Sequence, residues 1–156
     1  MIKIMFVCHG NICRSPMAEF LLKELVKKKG EQDNFLIKSS ATSYEEIGNP
    51  VHYGTAKVLD RLNINYSGKV AEKLKSSDYD KYDYFIGMDK ANLRTMKVIF
   101  GGCNHEKLSL LLDYTGENRD VSDPWWTGDF ETTYKDISNG VNAFYEYLKA
   151  KEKENK

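Results

Sequence analysis

Apolar residues along the chain fall into two alternating patterns, short continuous runs and segments with helical spacing. Short runs bounded by polar or glycine-containing stretches are typical of buried strands, whereas apolar residues at every third or fourth position indicate amphipathic helices. The runs predict strands at residues 2–7, 35–40, 82–88 and 107–112. The helical spacings predict helices at residues 16–29, 53–62, 90–100 and 130–148. We expect the tail, residues 149–156, to be solvated and frayed.

The alternation of strands with helices predicts an α/β fold. Helical connections between neighbouring strands favour a parallel sheet covered on both faces, so we expect a three-layer, doubly wound, flavodoxin-like sandwich around a four-stranded parallel sheet. No internal repeat or evident linker interrupts the pattern, and we expect residues 1–156 to form a single domain. Ligands bind such sheets at the carboxyl ends of the strands. The loop after the first strand is therefore the first candidate for a functional site.

Composition and charge exclude several classes of protein. Hydrophobic residues make up 41% and charged residues 29%, close to the globular average, which argues against a disordered or coiled-coil chain. Because 23 basic residues balance 23 acidic ones, no net charge attracts nucleic acid or an anionic membrane, and we expect neither as a partner. No apolar stretch approaches the length of a membrane span, and residues 1–7 lack the features of a secretory signal. We therefore expect a cytoplasmic protein.

The segment after the first predicted strand carries a cysteine and an arginine separated by five residues, Cys8 and Arg14. A loop around an anion points successive backbone N–H groups inward, and Gly10 and Asn11 tolerate the left-handed backbone that such a loop needs. Residues 15–16 supply a serine hydroxyl for a helix cap and a proline for the first helical position. The positive end of that helix favours both a bound phosphate and the thiolate form of Cys8.

Arg14 and Ser15 complete this loop chemically. A guanidinium is a planar fork that matches two phosphate oxygens, so we expect Arg14 to hold a phosphate in line with the Cys8 sulfur. The Ser15 hydroxyl, at the predicted helix cap, can reach the same sulfur by a hydrogen bond. The pattern predicts nucleophilic attack by Cys8 on a phosphate ester.

Residues 7–16, Val-Cys-His-Gly-Asn-Ile-Cys-Arg-Ser-Pro, closely resemble the signature of the low-molecular-weight protein tyrosine phosphatases. Further landmarks of that family follow in the same order at residues 40–43, 47–50, 83–89, 92–94 and 123–126. The resemblance implies hydrolysis of phosphate monoesters, above all phosphotyrosine in proteins but also small aryl phosphates, through a phosphocysteine intermediate. It implies inorganic phosphate as product and neither metal nor organic cofactor. The phosphate-binding residues that it implies are His9, Gly10, Asn11, Ile12, Cys13 and Arg14.

Cleavage of such an ester also needs an acid that protonates the leaving oxygen. Asp123 is the candidate because it lies in the long stretch at residues 116–128, which lacks helical or strand periodicity, and because the following Pro124 restricts its backbone. A turn-forming Asp-Pro pair is the alternative interpretation. The resemblance favours the acid, because it implies Asp123 as general acid and then as general base.

Four positions concern the support of the loop. The resemblance implies that Asn11 braces the loop and that Asp89 supports it. At Lys69 the family commonly has a histidine that supports the phosphate loop, and at Glu72 it commonly has an arginine. Because of these two departures, the sequence does not show which side chains support the phosphate loop from these positions.

Trp125 and Trp126 are expected to form one wall of the substrate cleft, where an aromatic ring can stack; core packing is the alternative. The family usually has tyrosines here whose phosphorylation regulates the enzyme, so we expect that control to be absent. The opposite wall falls on Tyr44 and Glu45, and Glu45 occupies the position where the family has an aromatic residue.

The cysteines and histidines allow further interpretations. The resemblance implies that Cys13 forms a protective disulfide with an oxidised Cys8, and a small packing cysteine is the alternative. A zinc site that includes Cys103 is disfavoured, since the cysteines lack paired CxxC spacing and the loop favours an anion. The histidines expected to be exposed or hydrogen-bonded, with no metal role, are His9, His52 and His105.

Two other functions remain as alternatives. A thioredoxin-coupled arsenate reductase resembles this fold and loop, but it needs further relay thiols and Cys103 is the only cysteine outside the loop. A non-catalytic phosphate-binding module would be favoured if Cys8 or Asp123 were missing, and both are present.

Overall fold

The computed structural model describes residues 1–101 and 105–155 and has a four-stranded parallel sheet at its centre. The strand order is β2-β1-β3-β4, so the first strand is internal and the chain winds outward in both directions. This arrangement confirms the predicted α/β class. The strands are β1 (Ile2–Cys8), β2 (Phe35–Ala41), β3 (Tyr84–Gly87) and β4 (Leu108–Leu110).

Helices flank the sheet. The α-helices are α1 (Arg14–Lys28), α2 (Tyr53–Arg61), α3 (Lys90–Phe100), α4 (Pro124–Thr127) and α5 (Phe130–Glu154). Short 3₁₀ turns occupy Gln32–Asn34, Ser76–Lys81 and Leu111–Thr115. None of the helices in the described residues has the length and apolar character needed to cross a bilayer.

Strand β1 divides the core into two layers because successive side chains of a strand point to opposite faces. Ile4 and Phe6 belong to the larger cluster, which contains the buried faces of α1 and α5. Met5 and Val7 belong to the cluster on the other face, which includes Met96 of α3. The continuous apolar run at the start of the sequence is therefore the signature of a strand buried on both faces.

Four predicted segments have different boundaries in the structure. Helix α1 begins at Arg14 rather than at residue 16, and Ser15 lies inside its first turn instead of capping it. The strands predicted at residues 82–88 and 107–112 shorten to β3 and β4. The prediction that the tail from residue 149 is frayed was wrong. Helix α5 continues to Glu154, and Lys149 pairs with the carboxylate of Glu31. Cys103, considered above for a zinc site and as a relay thiol, lies outside the described residues.

The carboxyl ends of β1, β2 and β3 meet at one edge of the sheet, where Cys8 pairs with Ala41 and Val7 pairs with Gly87. The loop between β2 and α2 folds over this edge, and a bridge between Pro50 and Val70 closes it. The fold thus gathers the loop after β1 and the loop after β2 around Cys8.

Helix α5 approaches the turn Leu111–Thr115 so closely that position 140 has no room for a side chain. A Cβ atom on Gly140 would lie 2.5 Å from Cγ of Leu111, whose side chain is fully buried. We expect Gly140→Ala to lower the free energy of unfolding by about 1–2 kcal/mol, because overpacking outweighs the better helix propensity of alanine. Denaturant titration measures the change. The matched control Asn139→Ala, at an exposed position of α5, should be neutral or slightly stabilising; equal stability of the two variants would contradict the tight contact.

Candidate active site

The sulfur of Cys8 lies beneath the β1–α1 loop, residues 9–13, where donors converge on it. The backbone N–H groups of Asn11 and Ser15 donate to Sγ over 3.3 and 3.4 Å, and the Ser15 hydroxyl lies 2.9 Å away. The Ser15 N–H belongs to the first turn of α1, where backbone donors have no partner inside the helix. Three donors around one sulfur suit a negatively charged thiolate.

The backbone of the loop agrees in part with the prediction. Asn11 adopts a left-handed conformation with φ of 60°, as the sequence indicated, whereas Gly10 does not have a positive φ. Gly10 matters for space instead, since a Cβ there would come within 3.3 Å of Glu46 Cγ. Only Asn11 therefore supplies the unusual backbone that the loop needs.

Arg14 is a buried cation held by groups from three segments. The residue is only 2% exposed, and Nη1 donates to the carbonyl of Val121 over 2.9 Å. Nη1 lies 2.9 Å from Oδ2 of Asp89, and Nη2 lies 3.5 Å from Oδ2 of Asp123. Burial lowers the pKa of Arg14, but the negative charges of Cys8, Asp89 and Asp123 outweigh it and raise the pKa above its ordinary value.

Asp123 stands where the long stretch before the last helix turns into α4. It caps α4, with Oδ1 accepting a hydrogen bond from the Trp125 N–H over 3.1 Å, and Pro124 is the first residue of that helix. Its other oxygen, Oδ2, faces Arg14. Asp123 therefore caps a short helix, as an Asp-Pro turn can, and also lines the cleft.

A cleft of about 500 Å³ joins these groups, since Cys8, Arg14 and Asp123 all line it. Trp125 and Trp126 form one wall and are 54% and 82% exposed, so they present open aromatic faces rather than core contacts. Of the remaining predicted residues, His9, Gly10, Ile12 and Cys13 line the cleft, and so does Asp89. Ser15 and Asn11 lie behind it, in contact with Cys8.

The opposite wall differs from the prediction. Glu45 lines the cleft as expected and lies 3.0 Å from Nε2 of His9, but Tyr44 is not among the described residues that line it. The Tyr44 ring is exposed, with the Lys73 ammonium 4.8 Å from its centroid. Glu46 takes the place of Tyr44 in the wall.

Ala91 and Thr95 of α3 also line the cleft, and the sequence reasoning missed them. They stand four residues apart, so they share one face of the helix. A search for the small side chains on the helix capped by Asp89 could have found this face.

A directional network fixes the Ser15 hydroxyl. The Asn11 amide donates to Oγ of Ser15 over 2.8 Å and to Oγ of Ser39 over 2.9 Å, while its Oδ1 accepts from the backbone N–H of Glu72 over 3.1 Å. The last bond sets the orientation of the amide. Because Ser15 Oγ accepts from Asn11, its hydrogen is free to donate to the sulfur of Cys8.

Lys69 supports this network from below. Its ammonium donates to the carbonyl of Ser39 over 2.9 Å and lies 3.5 Å from Oε1 of Glu19, which accepts from the Ser39 hydroxyl over 2.5 Å. Lys23 also pairs with Glu19 at 2.6 Å. Lysine therefore takes a supporting place beneath the loop where the family has histidine, and Glu72 contributes through its backbone.

His52 is a further residue whose role the sequence did not reveal. Its Nδ1 accepts from the Gly54 N–H over 3.1 Å and caps α2, as expected of a hydrogen-bonded histidine. Its backbone N–H donates to the carbonyl of Ile12 over 2.9 Å. The ring stacks on Phe130 at 5.2 Å and meets the edge of Trp125 at 5.7 Å. His52 thus ties the β1–α1 loop to the aromatic wall.

Cys13 is buried beside the site. Burial, together with the negative charges of Cys8 and Asp123, raises the pKa of the Cys13 thiol to about 12. The Cys13 thiol is therefore neutral at physiological pH, which makes it a weak nucleophile.

Fold and site together define an α/β protein with a cysteine-centred anion loop, and comparisons place it in a family. The model of the low molecular weight phosphotyrosine protein phosphatases matches residues 3–154. The chain is 39% identical over 142 residues to the low molecular weight protein-tyrosine-phosphatase YfkJ of Bacillus subtilis, covering 90% of this chain and 91% of that protein. It is 34% identical over 148 residues to the protein PtpA of Staphylococcus aureus, covering 95% and 94%.

Solved structures agree. The crystal structure of YfkJ from Bacillus subtilis superposes with a TM-score of 0.94 at 37% identity, covering 97% of this chain and 96% of that one. A low molecular weight protein tyrosine phosphatase from Streptococcus pyogenes gives 0.86 at 40% identity, covering 95% and 93%. The chain therefore belongs to the low molecular weight phosphotyrosine protein phosphatases. It is a protein-tyrosine-phosphatase of that family.

The difference between the two loop cysteines can be tested by alkylation. With iodoacetamide near pH 7 we expect Cys8 to be modified and Cys13 to stay free, because the donors around Cys8 suit a thiolate and the Cys13 thiol is neutral. Tandem mass spectrometry of the tryptic peptide 4–14 locates the label. Inorganic phosphate should slow the reaction, and Cys13→Ala should leave the Cys8 label intact. Labelling of Cys13 in folded Cys8→Ser protein would contradict the assignment.

The contribution of Lys69 can be tested by stability. Lys69→Met should lower the free energy of unfolding by about 1–3 kcal/mol, less than for an isolated buried pair because Lys23 still neutralises Glu19. Denaturant titration measures it, and Lys38→Met, at an exposed position of β2, should change stability by less than about 0.5 kcal/mol. The double variant Lys69→Met/Glu19→Gln should recover part of the loss. A fully stable Lys69→Met protein would show that the pair contributes nothing.

Proposed function

We propose that the protein hydrolyses phosphotyrosine in proteins, and small aryl phosphates, through a phosphocysteine on Cys8 with Asp123 as general acid and then general base. One observation carries this proposal: the Cys8 sulfur, the Arg14 guanidinium and the Asp123 carboxyl group belong to one cleft beneath a loop of inward-facing donors. The two tryptophans beside the cleft suit a flat aromatic leaving group.

In the first step the Arg14 guanidinium and the loop N–H groups hold the phosphate. An electron pair of the Cys8 sulfur attacks phosphorus while the bond to the ester oxygen breaks. Asp123 gives its proton to that oxygen, so a neutral phenol leaves in place of a phenolate. Arg14 compensates charge on the equatorial oxygens, and Asp89 keeps the guanidinium in place.

In the second step water attacks the phosphocysteine. The Asp123 carboxylate takes a proton from the water, an oxygen–phosphorus bond forms, and the sulfur–phosphorus bond breaks. The Ser15 hydroxyl then donates to the sulfur as it becomes a leaving thiolate. Inorganic phosphate leaves, and Asp123 is protonated again for the next cycle.

The redox role of Cys13 is a separate proposal. Oxidation of the Cys8 thiolate by a peroxide would give a sulfenic acid; attack of the Cys13 sulfur on that sulfur would then form a disulfide and release the sulfenic oxygen as water. Because burial raises the pKa of Cys13, few molecules carry the attacking thiolate at neutral pH, and we expect this closure to be slow.

The mechanism can be tested by varying the leaving group. Cys8→Ser should abolish turnover, and Asp123→Asn should reduce kcat by about 10²–10⁴ on phosphotyrosine peptides. The loss should be smaller on para-nitrophenyl phosphate, because nitrophenolate leaves readily without a proton. Phosphate release, measured with a chelator and a reductant present, gives both values.

The control is Asp33→Asn, which removes an equal charge from an exposed turn remote from the cleft and should keep full activity. An active Cys8→Ser variant, or an Asp123→Asn loss that does not depend on the leaving group, would contradict the assigned roles. Phosphate binding without turnover by the native protein would support the binding module, and reductant-dependent turnover of arsenate would support the reductase.

A further inference from the structure

A second cavity of about 470 Å³ lies on the other side of Trp125 from the catalytic cleft, and the indole ring lines both. Helix α2 supplies Tyr53, Lys57 and Arg61 to this cavity, and Phe130 and Glu131 of α5 close it. Trp125 is thus shared between this cavity and the wall proposed for the phosphotyrosine ring.

The second cavity carries an excess of positive charge. The Lys57 ammonium is exposed, lies 5.9 Å from the Tyr53 ring, and forms no ion pair within the part of the chain that the structure describes. Arg61, by contrast, donates to both carboxylate oxygens of Glu131 over 2.5 and 3.2 Å. The charges of Arg61 and Glu131 cancel, and that of Lys57 remains.

The far wall of the catalytic cleft has the opposite sign. Glu45 and Glu46 line it, and Oε2 of Glu45 lies 3.0 Å from Nε2 of His9. The mouth of the site is therefore acidic on the Glu45 side and basic on the Lys57 side, with the two tryptophans on the basic side. A polypeptide bound across the mouth meets a different charge on each side of its phosphotyrosine.

We propose that the cavity behind Trp125 is a substrate subsite that takes an aspartate or glutamate side chain close in sequence to the phosphotyrosine, with Lys57 as its cation. The proposal rests on the proposed function and adds a substrate class to it. An extended peptide advances about 3.3 Å per residue, so a residue a few positions from the phosphotyrosine reaches past one indole ring.

The test is a charge cycle between enzyme and peptide. Phosphotyrosine peptides in a neutral Gly/Ser background carry Asp, or isosteric Asn, at each of the three positions on either side. With the native protein we expect Asp to raise kcat/KM over Asn about two- to fivefold at one position or more, the size of an exposed ion pair. Lys57→Gln should remove that gain, and Lys57→Glu should turn it into a loss. Added salt near 1 M should abolish it, because the Debye length falls to about 3 Å.

The matched control is Lys27→Gln, which removes an equal charge at an exposed site on α1 and should keep the Asp gain and the rate on the neutral peptide. Equal Asp-to-Asn ratios in the native protein and in Lys57→Gln at every position would overturn the subsite. If Lys57→Gln only impaired folding, the rates on the Asp and Asn peptides would fall together and their ratio would not change. That result would also contradict the subsite. Native protein that cleaves neither the peptides nor para-nitrophenyl phosphate would overturn the proposed function itself, whereas turnover without coupling overturns the subsite alone.

Discussion

The burial of one cation organises the whole site. Arg14 is removed from water, and a buried guanidinium without partners would cost several kcal/mol. Its partners come from distant parts of the chain. Asp89 lies between β3 and α3, and the Val121 carbonyl and Asp123 belong to the long stretch before α4. Satisfying one arginine therefore brings together the loop after β1, the loop after β3 and the residue proposed as acid. The catalytic arrangement and the tertiary structure depend on the same contacts.

The hydrogen-bond network behind the sulfur has a direction, and that direction comes from a single backbone group. The Glu72 N–H sets the orientation of the Asn11 amide, the amide donates to Ser15, and Ser15 is left with one hydrogen for Cys8. A side chain at position 72 has little influence on this chain of bonds. This explains how glutamate can stand where the family commonly has arginine without disturbing the loop.

Local sequence predicted the parts of the site that are local in the structure. Cys8, Arg14 and the turn after β1 lie within one strand–loop–helix unit, so spacing alone placed them together. Asp123 needed the family resemblance, because nothing near it in sequence says that it faces Arg14. The predicted hydrogen bond between Ser15 and the Cys8 sulfur is present, but the predicted helix cap at Ser15 was wrong, because the first turn of α1 begins at Arg14 and the serine lies inside it. Tyr44 was predicted to line the cleft, but Glu46 lines it instead. The two residues lie in a turn, where side chains do not alternate regularly between two faces as they do in a strand, so the sequence could not indicate which of them faces inward.

Two buried charge clusters lie on opposite sides of the loop, and their balance decides how well it holds an anion. Arg14 faces the cleft, whereas Glu19 lies on the interior side, joined to the loop through Ser39 and Asn11. An unpaired carboxylate there would oppose a dianion in the cleft and a thiolate on Cys8, since Coulomb energies are large where water is excluded. Lys69 and Lys23 both pair with Glu19 and compensate its charge. The lysine departure thus prevents an uncompensated negative charge on the interior side of the loop, while Arg14 supplies a positive charge on the cleft side.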